Sequence, residues 1–269
     1  MNLSRVKAIV RKDLAELGAN KMAVLPMIIV PVVLCVLLPG ALAFLSLRLD
    51  ISAINGSELI EQILPFYTIP AVFDTTVRQI IYVFLNYMFL PFFMLIPVMV
   101  SSIVAANAVV GEKERKTLET LLYTPVTNRE FVVAKTLSAF VPAVAVSLVG
   151  FAGFFVVVNG VSLALEGVWL VQSPLWIPAL LLVSPAISLL ALAVTLMISM
   201  RAKSFMEAQQ MSAVVVIPVL LLVIAQFTGI FVLSIWHILG FGALLVVADF
   251  VLMTRIGPRF EREAILKTL

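Results

Sequence analysis

Six long apolar runs constrain the fold of this chain more than any other feature. A helix needs about 20 apolar residues to cross roughly 30 Å of hydrocarbon, and each run reaches that length. Because backbone groups inside lipid must be satisfied internally, the runs predict an all-α integral membrane protein with six transmembrane helices. The predicted helices cover residues 22–47, 80–110, 131–158, 174–200, 212–233 and 235–254.

The overall composition supports lipid as the solvent. Hydrophobic residues make up 62% of the chain and charged residues 12%, whereas soluble domains carry about 25% charged residues. Only residues 229–236 separate the last pair of runs. A re-entrant pair is the alternative there.

The distribution of lysine and arginine predicts the orientation in the membrane. Sixteen of the eighteen fall in segments 1–21, 111–135, 201–203 and 255–269, and only Arg48 and Arg78 fall on the other side. Positive residues stay in the cytoplasm, so both termini are predicted to be cytoplasmic. The basic pI is then a property of the loops, and no nucleic-acid partner is expected.

The amino-terminal segment 1–21 has a helical pattern of its own. Its apolar residues repeat at helical spacing, and most of its charges lie off that stripe. This pattern predicts an amphipathic helix in the inner membrane interface, followed by the transmembrane domain 22–254 and a cytoplasmic tail 255–269. The alternative is a plain cytoplasmic tail. The predicted stripe consists of Leu3, Val6, Val10, Leu14 and Leu17.

Segment 111–135 concentrates charge between two apolar runs. Nine of its 25 residues are charged, out of 33 charged residues in the chain. The second apolar helix is expected to project into the cytosol with residues 112–116, and Pro125 ends the short helix that follows. Thr127 and Glu130 fit a capping box that starts the third run. Leu118, Leu121 and Leu122 form an apolar patch between them, unless they simply lie back on the bilayer.

The sequence gives little indication of catalysis. Residues 111–117 resemble a phosphate-binding loop but lack its second glycine, and they follow a membrane helix instead of a strand. We find no metal-ligand cluster, no paired carboxylates and no Ser-His-Asp set, so no catalytic residue and no bound cofactor or metal is predicted. His237, beside Trp236, is interpreted as an interfacial anchor.

Segment 111–135 resembles the cytoplasmic motif of exporter-type (type-2) ABC transporter permeases. That motif reads approximately E-x-E-x-G-T-L-E-x-L-L-x-T-P-V, followed by Glu and Lys. The chain departs from it at Lys116, where the family usually has glycine. A weaker resemblance to the family's second cytoplasmic connection comes from Ser204, Glu207 and Gln209. The matching residues of the first motif are Glu112, Glu114, Arg115, Thr117, Leu118, Glu119, Leu121, Leu122, Pro125, Val126, Glu130 and Lys135.

The resemblance implies a function. In this family the 111–130 segment is a coupling helix that rests in a groove of a separate ABC ATPase subunit, which binds ATP and Mg. Two permease chains, identical or homologous, pair with two ATPase chains in the cell membrane of a prokaryote. The implied ATPase-coupling residues are Glu112, Glu114, Thr117, Leu118, Glu119, Leu121, Leu122, Pro125 and Glu130, with a second contact at Ser204, Glu207 and Gln209.

A secondary transporter or channel without an ATPase is the alternative. Such proteins place ionisable residues in the membrane, and here the runs offer little beyond Asp249 and His237. Asp249 either faces the bundle and pairs with another helix, or has a substrate or ion role. The transported substrate is not predicted. Four polar residues of the second run either line a path at a dimer centre or form interhelical hydrogen bonds: Asn86, Ser101, Ser102 and Asn107.

Overall fold

The computed structural model describes residues 1–48, 64–114 and 126–259, which are mainly helical with no strand in these ranges. Six helices are long and apolar enough to cross a membrane, which confirms the predicted fold class. We number them as spans 1 to 6: Lys21–Ser46, Thr76–Glu114, Arg129–Glu166, Trp176–Ser199, Phe205–Phe227 and Ile235–Thr254.

A separate helix, α1 (Leu3–Ala19), precedes span 1. Several spans contain short π or 3-10 stretches. The observed elements are Lys21–Pro31, π Val32–Leu37 and Leu38–Arg48 in span 1; 3-10 Leu64–Phe66; Thr76–Val83, π Phe84–Met88 and Phe89–Glu114 in span 2; Asn128–Glu166 in span 3; Trp176–Pro178, π Ala179–Val183 and Ser184–Ser199 in span 4; Phe205–Ser212, 3-10 Ala213–Val216 and Ile217–Phe227 in span 5; and Ile235–Arg259 in span 6.

Spans 3 and 5 differ most from their predicted boundaries. Span 3 continues past residue 158 to Glu166, where Gly167 ends the helix with a φ of 71°, a conformation that glycine adopts without a Cβ penalty. Span 5 begins at Phe205, earlier than residue 212, because Ser204 caps its first turn. It ends at Phe227, so spans 5 and 6 are separate helices that are each long enough to cross the membrane.

Span 2 is the central helix of the bundle. Nearly every residue of Phe89–Glu114 is buried, and spans 1, 3, 4 and 5 all pack against it. Aromatic rings fill the space between spans 2, 3 and 4, with centroids 5.1–6.1 Å apart among Phe93, Phe151, Phe154 and Trp176. Span 6 lies at the periphery and packs mainly on span 4.

A proline inside span 2 is compensated by a side chain from span 5. Pro91 has no N–H, so the carbonyl of Tyr87, four residues earlier, loses its usual helical donor. The amide Nε2 of Gln226 donates to that carbonyl at 3.3 Å. Neighbouring helices re-satisfy freed carbonyls in this way within membranes, and this explains a fully buried glutamine in an otherwise apolar helix.

One end of the bundle, which we call the far end, is held together by asparagines. Asn86 accepts hydrogen bonds from the backbone of Gln172 and Ser173, and Asn159 accepts from Leu170 and Val171. These bonds fix the connection between spans 3 and 4. The opposite end carries α1, and we call it the α1 end.

Arg78, one of the two basic residues outside the four lysine- and arginine-rich segments, also lies at the far end. Arg78 pairs with Asp74 at 2.7 Å and also with Glu166 at the end of span 3. The hydrogen bond from Arg78 lowers the pKa of the Asp74 carboxyl. The charge of Arg78 is therefore balanced locally by two carboxylates.

Candidate functional site

Most of the predicted coupling residues lie outside the described part of the chain. Thr117, Leu118, Glu119, Leu121, Leu122 and Pro125 belong to the stretch 115–125, which the structure does not describe. The residues on either side are described, and they show how both ends of this stretch are attached to the bundle.

A buried ion cluster joins α1, the end of span 2 and the start of span 3. The ammonium of Lys135 lies 2.9 Å from a carboxylate oxygen of Asp13 and 3.0 Å from Glu112 Oε1. Lys12 lies 2.5 Å from the same Glu112 oxygen and 3.3 Å from Glu16. Lys135 and Glu112 are at most 1% exposed. We call these five residues, with Ser138, the basal cluster.

The burial of Glu112 differs from the sequence prediction. Residues 112–116 were expected to project into the cytosol, but Glu112 is fully buried and Lys135 and Glu130 are almost so. Three of the six described charges of the segment are therefore inside the protein, where α1 and its cap supply partners for them. Removing one partner of a buried pair typically costs about 3–5 kcal/mol, so the cluster depends on each of its members.

Two pKa shifts show the balance of forces in the basal cluster. Burial raises the pKa of the Asp13 carboxyl above its ordinary value, although the charge of Lys135 opposes this effect. Burial lowers the pKa of Lys12, but the hydrogen bond and charge of Glu112 outweigh it, and the pKa of Lys12 is raised overall. Lys12 is thus a protonated partner for Glu112.

The basal cluster does not fit a metal ion. Carboxylate oxygens of Asp13, Glu16 and Glu112 lie within 4.8 Å of one another, close enough for one cation. However, Lys135 bonds Asp13 and Glu112, and Lys12 contacts Glu16 and Glu112. The two ammonium groups already supply the positive charge, so we assign the cluster to helix attachment.

The face of α1 that packs on the bundle is partly the predicted one. Val6 and Leu17 are buried as predicted, but Leu3 is 72% exposed and Leu14 is 38% exposed. Ile9 and Asp13 are buried instead, because Ala134 packs against Val6 and Ile9 and Lys135 binds Asp13. An acid within an apolar stripe was the sequence signal for this contact.

Both ends of α1 are fixed as well as its middle. At the start, the backbone N–H of Asn2 donates to Glu130 Oε1 at 2.6 Å. Beyond its last turn, the amide of Asn20 donates to Asn107 of span 2 at 2.9 Å. Glu130 also completes the predicted capping box with Thr127, which is confirmed. The start of span 3 is therefore held by the same residues that hold α1.

The exit of span 2 is attached to the connection between spans 4 and 5. Glu114 accepts a hydrogen bond from the backbone N–H of Phe205 at 2.9 Å. Lys113 donates to the carbonyls of Ser199 and Met200 at 3.3 and 2.6 Å. The described end of the first predicted coupling motif thus adjoins the second one in space, which the sequence pattern did not show.

The second contact predicted from the sequence is a helix start. Ser204 accepts from the backbone N–H of Glu207 at 3.2 Å, as a cap does. Glu207 reaches back to the N–H of Lys203 at 2.7 Å, one residue before the cap. Gln209 is half-buried, and its Oε1 has no hydrogen-bond partner among the described residues.

The four polar residues of span 2 lie inside the chain. Asn86, Ser101, Ser102 and Asn107 are at most 4% exposed. Ser101 donates to the Ser188 carbonyl at 2.6 Å, while Asn86 and Asn107 make the contacts given above. Ser101 thus forms an interhelical hydrogen bond, the alternative that the sequence left open. Asn86 and Asn107 bond residues that connect helices, and Ser102 Oγ has no hydrogen-bond partner in the described part of the chain.

Comparison with known proteins identifies the family of this chain. No curated protein and no solved structure matches it. A family model described as "ABC-2 family transporter protein" matches residues 7–239, a range that includes most of α1, the basal cluster and the first five spans. The chain belongs to this ABC-2 transporter family and is a multi-pass membrane permease of an ABC transporter.

Proposed function

We propose that this chain is the membrane half of an ABC exporter, driven by a separate ATPase subunit that docks on segment 111–130. The ATPase would bind ATP and Mg, and this chain would hydrolyse nothing itself. A second permease chain, identical or homologous, would complete the membrane part in a prokaryotic cell membrane. The direction of transport follows from the likeness of the 111–135 motif to exporters.

The proposed orientation in the membrane rests on the distribution of lysine and arginine. Sixteen of the eighteen lysines and arginines fall in segments 1–21, 111–135, 201–203 and 255–269. The described parts of these segments lie at the α1 end, so we place this end and both termini in the cytoplasm. In this orientation α1 lies at the inner membrane surface, and exposed Leu3 and Leu14 face lipid. An interfacial helix of this kind is held by apolar burial together with charge.

One observation supports coupling above the others: both ends of the stretch 115–125 are attached to the bundle. Glu112 and Glu114 attach the incoming end to α1 and to Phe205. Glu130 and Lys135 attach the outgoing end to α1. A force on the stretch would therefore be transmitted to α1 and to spans 2, 3 and 5 together.

The residues of the motif then divide into two roles. Glu112 and Glu130 are buried and hold the segment on the bundle. The leucines 118, 121 and 122 would be the apolar anchor in a groove of the ATPase, with Thr117, Glu119 and Pro125 shaping the short helix around them. Ser204, Glu207 and Gln209, next to Glu114, would form the second contact.

The test of this proposal replaces two of the three leucines of the apolar anchor. Burying one leucine contributes roughly 1.5–3 kcal/mol, so Leu121→Asp together with Leu122→Asp should weaken the complex by several kcal/mol. The spans are unchanged, so membrane insertion should persist. The measurement is co-purification of the ATPase subunit, expressed from the same cells, relative to the yield of the permease.

A matched control carries two aspartates at the far end, Phe66→Asp with Ile230→Asp, where both side chains are exposed. This control should retain the ATPase at a similar permease yield. Undiminished ATPase binding by the leucine variant would show that the partner docks elsewhere. Failure of the wild-type permease to retain any ATPase would favour a transporter without an ATPase.

A further inference from the structure

Asp249 lies on the buried face of span 6, five residues before the last residue of the span, Thr254. The residues of this face repeat at helical spacing, and Asp249 is 6% exposed. Its neighbours Val247 and Phe250 are 61% and 72% exposed and face outward. The carboxyl group therefore points into the bundle and not to lipid. The face consists of Ile238, Gly242, Leu245 and Asp249.

The partner of this face is span 4. A Cβ on Gly242 would lie against Leu182 and Val183, so the two helices are in close contact two turns before Asp249. Spans 4 and 6 are separated by one span and run in the same direction, which places Asp249 beside the middle of span 4.

Neither carboxylate oxygen of Asp249 has a hydrogen-bond partner in the described part of the chain. No residue of Trp176–Ser199 is titratable. Span 3 has ionisable groups only near its ends, where Glu130 binds Asn2, Lys135 binds Asp13 and Glu166 binds Arg78, while Arg129 is exposed. On span 6 itself, His237 lies twelve residues earlier, and Arg255 and Arg259 follow Asp249.

An ionised carboxylate without a partner is strongly disfavoured in such a setting, and the group takes up a cation or a proton instead. The side chain is too enclosed to admit an organic cation beside it. A proton needs no additional volume. The basal cluster provides the contrast, since its equally buried acids lie within 3 Å of a lysine.

We propose that Asp249 is a proton-binding site within span 6, carrying a proton while span 6 packs on span 4. Loss of the proton would place an unpaired charge on the face between these spans, so packing of span 6 and proton binding are linked. The site goes beyond the ATP-driven function proposed above and does not depend on it.

Infrared spectroscopy of the purified protein tests the protonation state directly. The difference spectrum between wild type and Asp249→Asn at neutral pH should show loss of one protonated carboxyl band. The control Asp74→Asn, at an exposed acid paired with Arg78, should instead show loss of a carboxylate band. Loss of a carboxylate band in Asp249→Asn would overturn the proposal.

A second measurement uses the link between packing and protonation. Denaturant titration of wild type and Asp249→Asn in detergent micelles is carried out in mildly acidic and in alkaline buffer. Wild type should lose stability relative to Asp249→Asn as the buffer is made alkaline, because loss of the proton leaves an unpaired charge on the packed face. A stability difference between the two proteins that does not change with pH would contradict the proposal.

Discussion

Lys135 is the residue on which the attachment of α1 depends most. Its ammonium is the only described group that contacts carboxylates of both α1 and span 2 from span 3. It also lies 5.5 Å from the ring centre of Phe131, one turn earlier, where a cation and an aromatic face attract each other. Without it, Asp13 and Glu112 would face each other across an apolar contact.

We expect Lys135→Met to lower the free energy of unfolding by about 3–5 kcal/mol, because it leaves buried acids without their cation. Asp13 should be affected most, since Glu112 keeps Lys12 as a partner. Denaturant titration in detergent micelles measures the change. Adding Asp13→Asn should recover part of the loss, since the uncompensated charge is then removed.

Lys7→Met is the matched control, because Lys7 lies on the exposed face of the same helix. Surface substitutions of this kind usually change stability by about 0.5 kcal/mol or less. Equal effects of the two lysine substitutions would show that the basal cluster contributes nothing specific to stability.

At the level of the elements, local signals were readable from the sequence and distant contacts were not. Thr127 and Glu130 form their capping box because both partners lie within one turn. The six apolar runs predicted the spans for the same reason, since length and composition are local properties. The burial of Glu112 depends on Lys12, which lies 100 residues earlier in the chain, and on Lys135, which lies 23 residues later. No periodic pattern specifies such a pairing.

The α1 face illustrates the same limit. Helical periodicity identified an apolar side, but the observed contact is turned toward Ile9 and Asp13. That rotation follows from the partner surface on span 3, which presents Ala134 and Lys135. The pattern of one helix predicts that a face is buried, while the complementary helix decides which residues are at its centre.

The contact between spans 2 and 5 leads to a prediction at this scale. Gln226→Leu should reduce stability by about 1–3 kcal/mol, since it removes the side-chain hydrogen bond to the buried Tyr87 carbonyl. In a Pro91→Ala background residue 91 regains its N–H, and the same substitution should cost less. Denaturant titration of the four proteins, as a double-mutant cycle, measures the difference.

The exposed Gln172 provides the control, and Gln172→Leu should have little effect in either background. Equal costs of Gln226→Leu with and without Pro91 would mean that the glutamine stabilises span 5 by some route other than the proline-freed carbonyl.

For the whole molecule, the charge distribution predicts a topology that can be measured in cells. In a Cys35→Ser background, a cysteine at Ser57 should react with an impermeant thiol reagent added outside. A cysteine at Thr117 should react only after the cells are opened. Both positions lie outside the described residues, so the expectation rests on the sixteen-to-two distribution of cations and on the preference of cations for the cytoplasm.

The opposite labelling pattern would reverse the orientation and would place segment 111–130 outside, away from any ATP-hydrolysing partner. Mass-tag detection on intact cells, with the cysteine-free protein as the blank, distinguishes the two results.

The length of span 3 has a mechanical consequence. Its helix runs unbroken over 39 residues, from Asn128 to Glu166, or about 58 Å, nearly twice the thickness of the hydrocarbon layer. One end carries Lys135 of the basal cluster, and the other carries Glu166 in its pair with Arg78. Such a helix acts as a lever arm: a tilt of about 5° at one end displaces the other by roughly 5 Å, so a small push by a cytosolic motor would be felt on the opposite side of the membrane.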